Sequence, residues 1–165
     1  MLKPEIKIGE SVITLPCALK CIKDAVIDED YVSEFNYDGI DAIHARINYN
    51  GYMAASVSLD NRDKDLPIEE KTIVEIMPFD GDLCGIRWQN TKWEDACAVS
   101  GCLDFVKFGN FLAPLENGYY LDCHRDFDKG TVSEMTVYTP FDNAANMERV
   151  LSEMKQLAKK HSQFY

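Results

Sequence analysis

The chain has 165 residues, 46% apolar and 27% charged, with 9 glycines and 6 prolines; this globular composition excludes a disordered tail or a fibrous repeat. Its 17 Lys and Arg stand against 28 Asp and Glu, a net charge of −11. Phosphate binding needs clustered cations, so nucleic acid and anionic membrane are poor partners, and no apolar run approaches the roughly 20 residues that cross a bilayer.

In chain order, Ile6-Lys7-Ile8 and Val12-Ile13-Thr14-Leu15 flank Gly9-Glu10-Ser11 and read as a short hairpin. Pro16 suits the first turn of a helix over 17–25, with Cys17, Leu19, Cys21 and Ile22 on its inner side. The stretch from Asp28 to Asp41 holds no Lys or Arg and no clean period, which predicts a structured loop or a ragged helix. Ile43, Ala45, Ile47 and Tyr49 then alternate with His44, Arg46 and Asn48, and Met53, Ala55, Val57 and Leu59 with Ala54, Ser56 and Ser58. Aligning these sets on one face predicts a three-residue turn, Asn50-Gly51-Tyr52, with Tyr49 opposite Met53 and Gly51 left-handed.

A polar connection runs from Asp60 to Lys71, followed by strands at 72–77 and 83–88. Thr91 is placed to cap a short helix, with Glu94 at the capping-box position and Gly101 at its end. Tyr119, Leu121 and Cys123 alternate with Tyr120, Asp122 and His124; 125–130 turns the chain, and Met135 and Val137 return on the inner face. Pro140 and Asp142-Asn143 lead into the clearest helix, whose buried stripe is Met147, Val150, Leu151, Met154, Leu157 and Ala158.

These elements predict one α+β domain over 1–165. In it, an antiparallel sheet of about six strands carries the long C-terminal helix and two short helices on one face. Helix-then-hairpin order occurs twice, near Asp24-Ala25 and Ile43 and again near Asp95-Ala96 and Tyr119, which suggests a tandem repeat.

The runs Ile13-Thr14-Leu15-Pro16, Val57-Ser58-Leu59-Asp60-Asn61, Leu66-Pro67-Ile68 and Thr72-Ile73-Val74-Glu75-Ile76 cover much of the chain. In these the sequence resembles uncharacterised α+β domains of Gram-positive bacteria. Such domains follow the helix-plus-antiparallel-sheet plan of the β-lactamase inhibitor protein. The resemblance implies that fold and brings no catalytic residue with it.

The opening Met1-Leu2-Lys3-Pro4-Glu5 has no apolar signal segment, and a domain of this size builds a core without covalent staples. The expectation is a cytoplasmic protein with reduced thiols; a secreted protein whose signal peptide lies outside this sequence is the alternative. The six cysteines include Cys17-x₃-Cys21 and Cys97-x₄-Cys102, loose matches to the close pairs that bind zinc. Buried cysteines acting as small hydrophobes fit better. Asp122-Cys123-His124-Arg125-Asp126-Phe127-Asp128 is dense in polar groups, but its Gly130 falls one residue early for a calcium loop, and its residues suit a turn. His44, His124 and His161 lie in no catalytic motif. No catalytic residue, metal or cofactor is expected.

The acidic-aromatic stretch carries the functional expectation. Asp28, Glu29, Asp30, Glu34, Asp38 and Asp41 raise a negative potential, and Tyr31, Phe35 and Tyr37 supply anchoring area. These residues form the expected contact surface for a basic protein. The expected function is a non-enzymatic, acidic inhibitor of the immunity type that neutralises a basic toxin or nuclease as a monomer or homodimer. A secretion chaperone or adaptor, which would expose an apolar groove or a free sheet edge, and a disulfide-bonded secreted surface domain are the rivals.

Overall fold

A computed structural model describes residues 1–37, 39–140 and 144–162 of the chain. Period-two burial builds its first strands: β1 (Glu5–Ile8) and β2 (Ser11–Thr14) pair antiparallel, with Ile6, Ile8 and Ile13 buried and Lys7 exposed. The helix expected over 17–25 is replaced by one 3-10 turn, Leu19–Cys21. The backbone there bonds across the fold: the Leu19 N–H donates to Lys71 O at 3.0 Å, and the Ile73 N–H donates to Cys17 O at 2.9 Å. The second bond occupies the Cys17 carbonyl, which a helix from 17 would need for the Cys21 N–H, while the first gives the Leu19 N–H a partner that a helix's first turn would not supply. Leu19 and Ile22 are buried as expected, while Cys21 is exposed and Cys17 half-buried.

The stretch expected to be a loop or ragged helix is instead a long strand, β3 (Val26–Tyr37), antiparallel to β4 (Ile40–Tyr49). Its period is hidden by an irregularity. Asp28 pairs with Arg46 and Ser33 with His44, so 29–32 face a single residue of β4. β4 continues into β5 (Tyr52–Asp60) through a two-residue turn, Asn50-Gly51, both left-handed at φ 51° and 79°. Tyr49 therefore pairs with Tyr52, not Met53. A bulge after Ile47 then restores alignment, so that Ile47 faces Ala55, Ala45 faces Val57 and Ile43 faces Leu59. Burial of one apolar face is satisfied by a tight turn plus a bulge in place of a longer loop.

β6 (Ile73–Pro78) follows the polar connection, which the buried Lys71 ties down by donating from Nζ to Asp63 O at 2.7 Å. The strand expected over 83–88 folds at Cys84-Gly85 into β7 (Asp82–Leu83) and β8 (Ile86–Arg87). α1 (Trp93–Val99) starts without a side-chain cap. The expected cap, Thr91, instead donates its hydroxyl to Arg87 O. Gly101 closes this helix, donating its N–H to Ala98 O at 3.3 Å. β9 (Asn110–Pro114), β10 (Tyr120–Asp126), β11 (Thr131–Tyr138) and α2 (Ala144–Ser162) complete the chain. Asp126 Oδ1 accepts the N–H groups of Asp128 and Lys129, so the polar cluster there makes the β10–β11 turn.

The protein is α+β, mainly antiparallel sheet with a C-terminal helix. The described residues form eleven strands in place of about six. Seven form a sheet ordered β3-β4-β5-β6-β11-β10-β9, and four a small sheet ordered β2-β1-β7-β8. The core lies between the two sheets. Ile6, Ile13, Leu83 and Ile86 meet Ile43, Ala45, Val57, Ile76, Val137 and Leu121 there, and Trp93 of α1 lies 5.2 Å from Phe111 of β9, ring to ring.

α2 sits on the other face of the large sheet, where Leu151 packs with Leu112, Tyr120 and Tyr138. The helices thus cover opposite faces, not one. This is why Tyr120 is buried although its neighbours Tyr119 and Leu121 are buried too. Leu157 is 58% exposed and off the stripe, whereas Ala158 reaches the main core. With no helix over 17–25, the first half lacks the helix-then-hairpin order that suggested a repeat. The expected lead-in at Asp142-Asn143 lies outside the described residues.

Candidate functional site

β3 forms one end of the seven-stranded sheet, and among the described residues its only strand partner is β4. The expected contact residues therefore lie along a sheet edge. Glu29 and Asp30 are exposed in the irregular segment, and Asp28 Oδ1 accepts the Asp30 N–H at 3.2 Å, an Asx contact that supports the irregularity. Residues opposite each other in adjacent strands share a face. Ser33 faces His44, and Phe35 faces Ala42, so these side chains project on the α2 side of the sheet. Glu34 faces Ile43 and Asn36 faces Asp41, so this second set projects on the core side, at the sheet's margin.

On the α2 side, the Arg46 guanidinium lies 3.9 Å from the centre of the Tyr31 ring, a cation–π contact. Phe35 meets His44 edge-on at 6.4 Å, and His44 Nε2 lies 3.2 Å from Ser56 Oγ. Tyr31 and Phe35 remain 50% and 37% exposed, so both rings keep area for a further contact. On the other side, Glu34 accepts from the buried Asn61 amide at 3.3 Å, and Asp41 pairs with Lys64 at 3.4 Å. Close by in sequence, Arg62 grips Asp60 at 2.6 Å, and that hydrogen bond holds the Asp60 carboxyl below the usual carboxylate range against partial burial.

The structure thus gathers Asp28, Tyr31 and Phe35 with Arg46 and His44, and sets Glu34 and Asp41 on the opposite side of the same edge. Tyr37 pairs with Ile40 at the strand end, and Asp38 lies outside the described residues. His44, Arg46 and Ser56 were missed as members of the patch. Alternation along β4 puts His44 and Arg46 on one face, and the β4–β5 pairing sets Ser56 opposite Arg46 on the same face. That face has a neighbour on its other side only once 28–37 is known to be a strand.

Two further polar groupings lie away from this edge. Asp122 Oδ1 and His124 Nε2 lie 3.2 Å apart on one face of β10, as alternation requires. Among the described residues no group of three or more His, Cys, Asp or Glu is arranged to hold a metal. An open cleft of about 620 Å³, lined by Lys7, Tyr49, Tyr52, Asp80, Asp82 and Arg87, runs between the β1–β2 and β4–β5 turns; it mixes both charge signs. No disulfide links the six cysteines. No helix among the described residues is long and apolar enough to cross a membrane.

Compared with protein-family models, with curated proteins and with solved structures, the chain returned no match.

Proposed function

We propose that this chain is a non-enzymatic, acidic protein-binding protein of the immunity or inhibitor type, which neutralises a basic toxin or nuclease in the cytoplasm. The observation that carries this reading is the β3 edge, where Asp28, Glu29, Asp30 and Glu34 stand beside half-exposed Tyr31 and Phe35 in a stretch with no Lys or Arg. In a chain of net charge −11, such an edge attracts a cationic partner over a Debye length and holds it by ring packing on contact.

A secretion chaperone or adaptor is the second reading, favoured by the same open edge, because strand addition is how such proteins hold extended clients. The test is capture from an extract of the source organism at low and at high salt, followed by association kinetics with the captured protein. For the first reading, the captured protein is basic. The variant with Asp28, Glu29 and Asp30 all changed to Lys then associates at least tenfold more slowly and with a flatter salt dependence. Tyr31→Ala instead speeds dissociation. Capture indifferent to salt and to the triple reversal sinks the electrostatic reading and transfers weight to the chaperone.

A further inference from the structure

Deepening that reading, we propose that β3 receives its partner as an added β-strand: an extended segment with alternating basic and apolar residues pairs with the outer edge of 33–37. From Ser33 to Tyr37 the strand runs in unbroken register against Ile40 to His44, a regular edge of five residues or roughly 17 Å. A strand at the end of a sheet presents its outward N–H and C=O groups as a template for pairing. The opposite end of the sheet differs. There α2 packs on Leu112 and Tyr120, and its last turns reach the core beside Phe108, so β9 is attended by a helix.

The two faces of β3 specify the occupant. An added strand sets alternate side chains beside Ser33 and Phe35 on one face and beside Glu34 and Asn36 on the other. The first row offers a ring 37% exposed, which suits an apolar side chain. The second offers the exposed Glu34 carboxylate, of which one oxygen accepts from Asn61 and the other has no partner among the described residues, which suits Lys or Arg. Asp41, one strand behind, is already paired with Lys64. A second copy of this chain is a poorer occupant. It would bring the Glu29, Asp30 and Glu34 edge against the same acids, and like charges across strands are destabilising.

The probe is a capped nine-residue peptide of alternating Lys and Val, titrated at low salt by fluorescence anisotropy. Two isomers accompany it, one N-methylated at every Val and one at every Lys, so that each blocks one edge of the peptide. A docked strand uses one edge only. One isomer therefore binds like the parent and the other at least tenfold more weakly, Glu34→Lys weakens the parent peptide, and amide shifts cluster at 33–37 in NMR spectra. Equal affinity of the two isomers overturns strand addition. If all three peptides bind alike and salt weakens each, the electrostatic reading stands without strand addition; if none binds even at low salt, both fall. A concentration-dependent dimer in sedimentation that Glu34→Lys disrupts would assign the edge to a second copy and overturn the proposal.

Discussion

Burial governs the chemistry of single residues here, most visibly at the thiols. Cys84 and Cys97 are pushed up to about 12 by burial, and Cys102 to about 11 for the same reason. Burial also raises Cys123, with neighbouring thiols adding to the effect. Since the thiolate is the reactive form, a native titration with a disulfide reagent near pH 8 is expected to show Cys21, which is exposed, reacting first. The four buried thiols react at comparable rates only once denaturant is added; simultaneous reaction of all six in the folded protein contradicts the buried cluster.

Asp60 makes the opposite point. Its folded pKa is lowered by the Arg62 hydrogen bond. It therefore contributes stability that is fully present above the unfolded value of about 3.9 and is lost as pH falls through the depressed folded value. Solvent screens this pair, so the contribution is modest. Asp60→Asn is expected to reduce the drop in melting temperature between about pH 5 and pH 2, while leaving that between pH 6 and 8 unchanged.

At the scale of elements, α2 separates a residue that packs from one that only matches the pattern. Leu151 is buried against Leu112 and Tyr120, whereas Leu157 faces solvent. Leu151→Ala is expected to cost about 2–3 kcal/mol in chemical denaturation and Leu157→Ala no more than about 0.5 kcal/mol; equal midpoints would place the helix differently. The turns separate in the same way. Gly51, at φ 79°, has open space where a Cβ would stand, so Gly51→Ala meets backbone strain of about 1 kcal/mol. At Gly81, with φ 115°, a Cβ would lie 2.1 Å from Lys7 O. Gly81→Ala must push β1 and β7 apart and is expected to destabilise well beyond Gly51→Ala in the same measurement.

For the molecule as a whole, stability is layered around the centre of the large sheet. β5, β6 and β11 have strand neighbours on both sides, and Ala55, Val57, Ile73, Ile76 and Val137 are sealed between the sheets. Amide exchange is expected to be slowest there and fastest along 28–37, where one side of the strand lacks a strand neighbour among the described residues. A protected β3 in the isolated protein would mean that its edge is already occupied, which bears directly on the proposed docking mode.

Several features were legible in the sequence because they depend on near neighbours. Alternation marked β1, β2, β4, β5, β10 and β11, the 3.6 period marked α2, and Gly51 marked its turn, since side-chain direction and backbone sterics are local properties. The acidic, cation-free composition of 28–41 was equally plain. What needed the tertiary structure was every choice between competing long-range partners. The segment 17–25 gave up a helix because Lys71 and Ile73 offered its backbone better-placed bonds. β3 was hidden because an irregularity at 29–32 broke its period, and only β4 supplies the partner that makes it a strand. The sheet face that α2 covers was undetermined by its stripe, which says that a helix buries one side but not against what. Sequence by itself determined which residues seek burial and which surface carries the charge. Only the folded sheet decided that this charge lies along an open edge, because an edge is defined by the strand that does not pair with it.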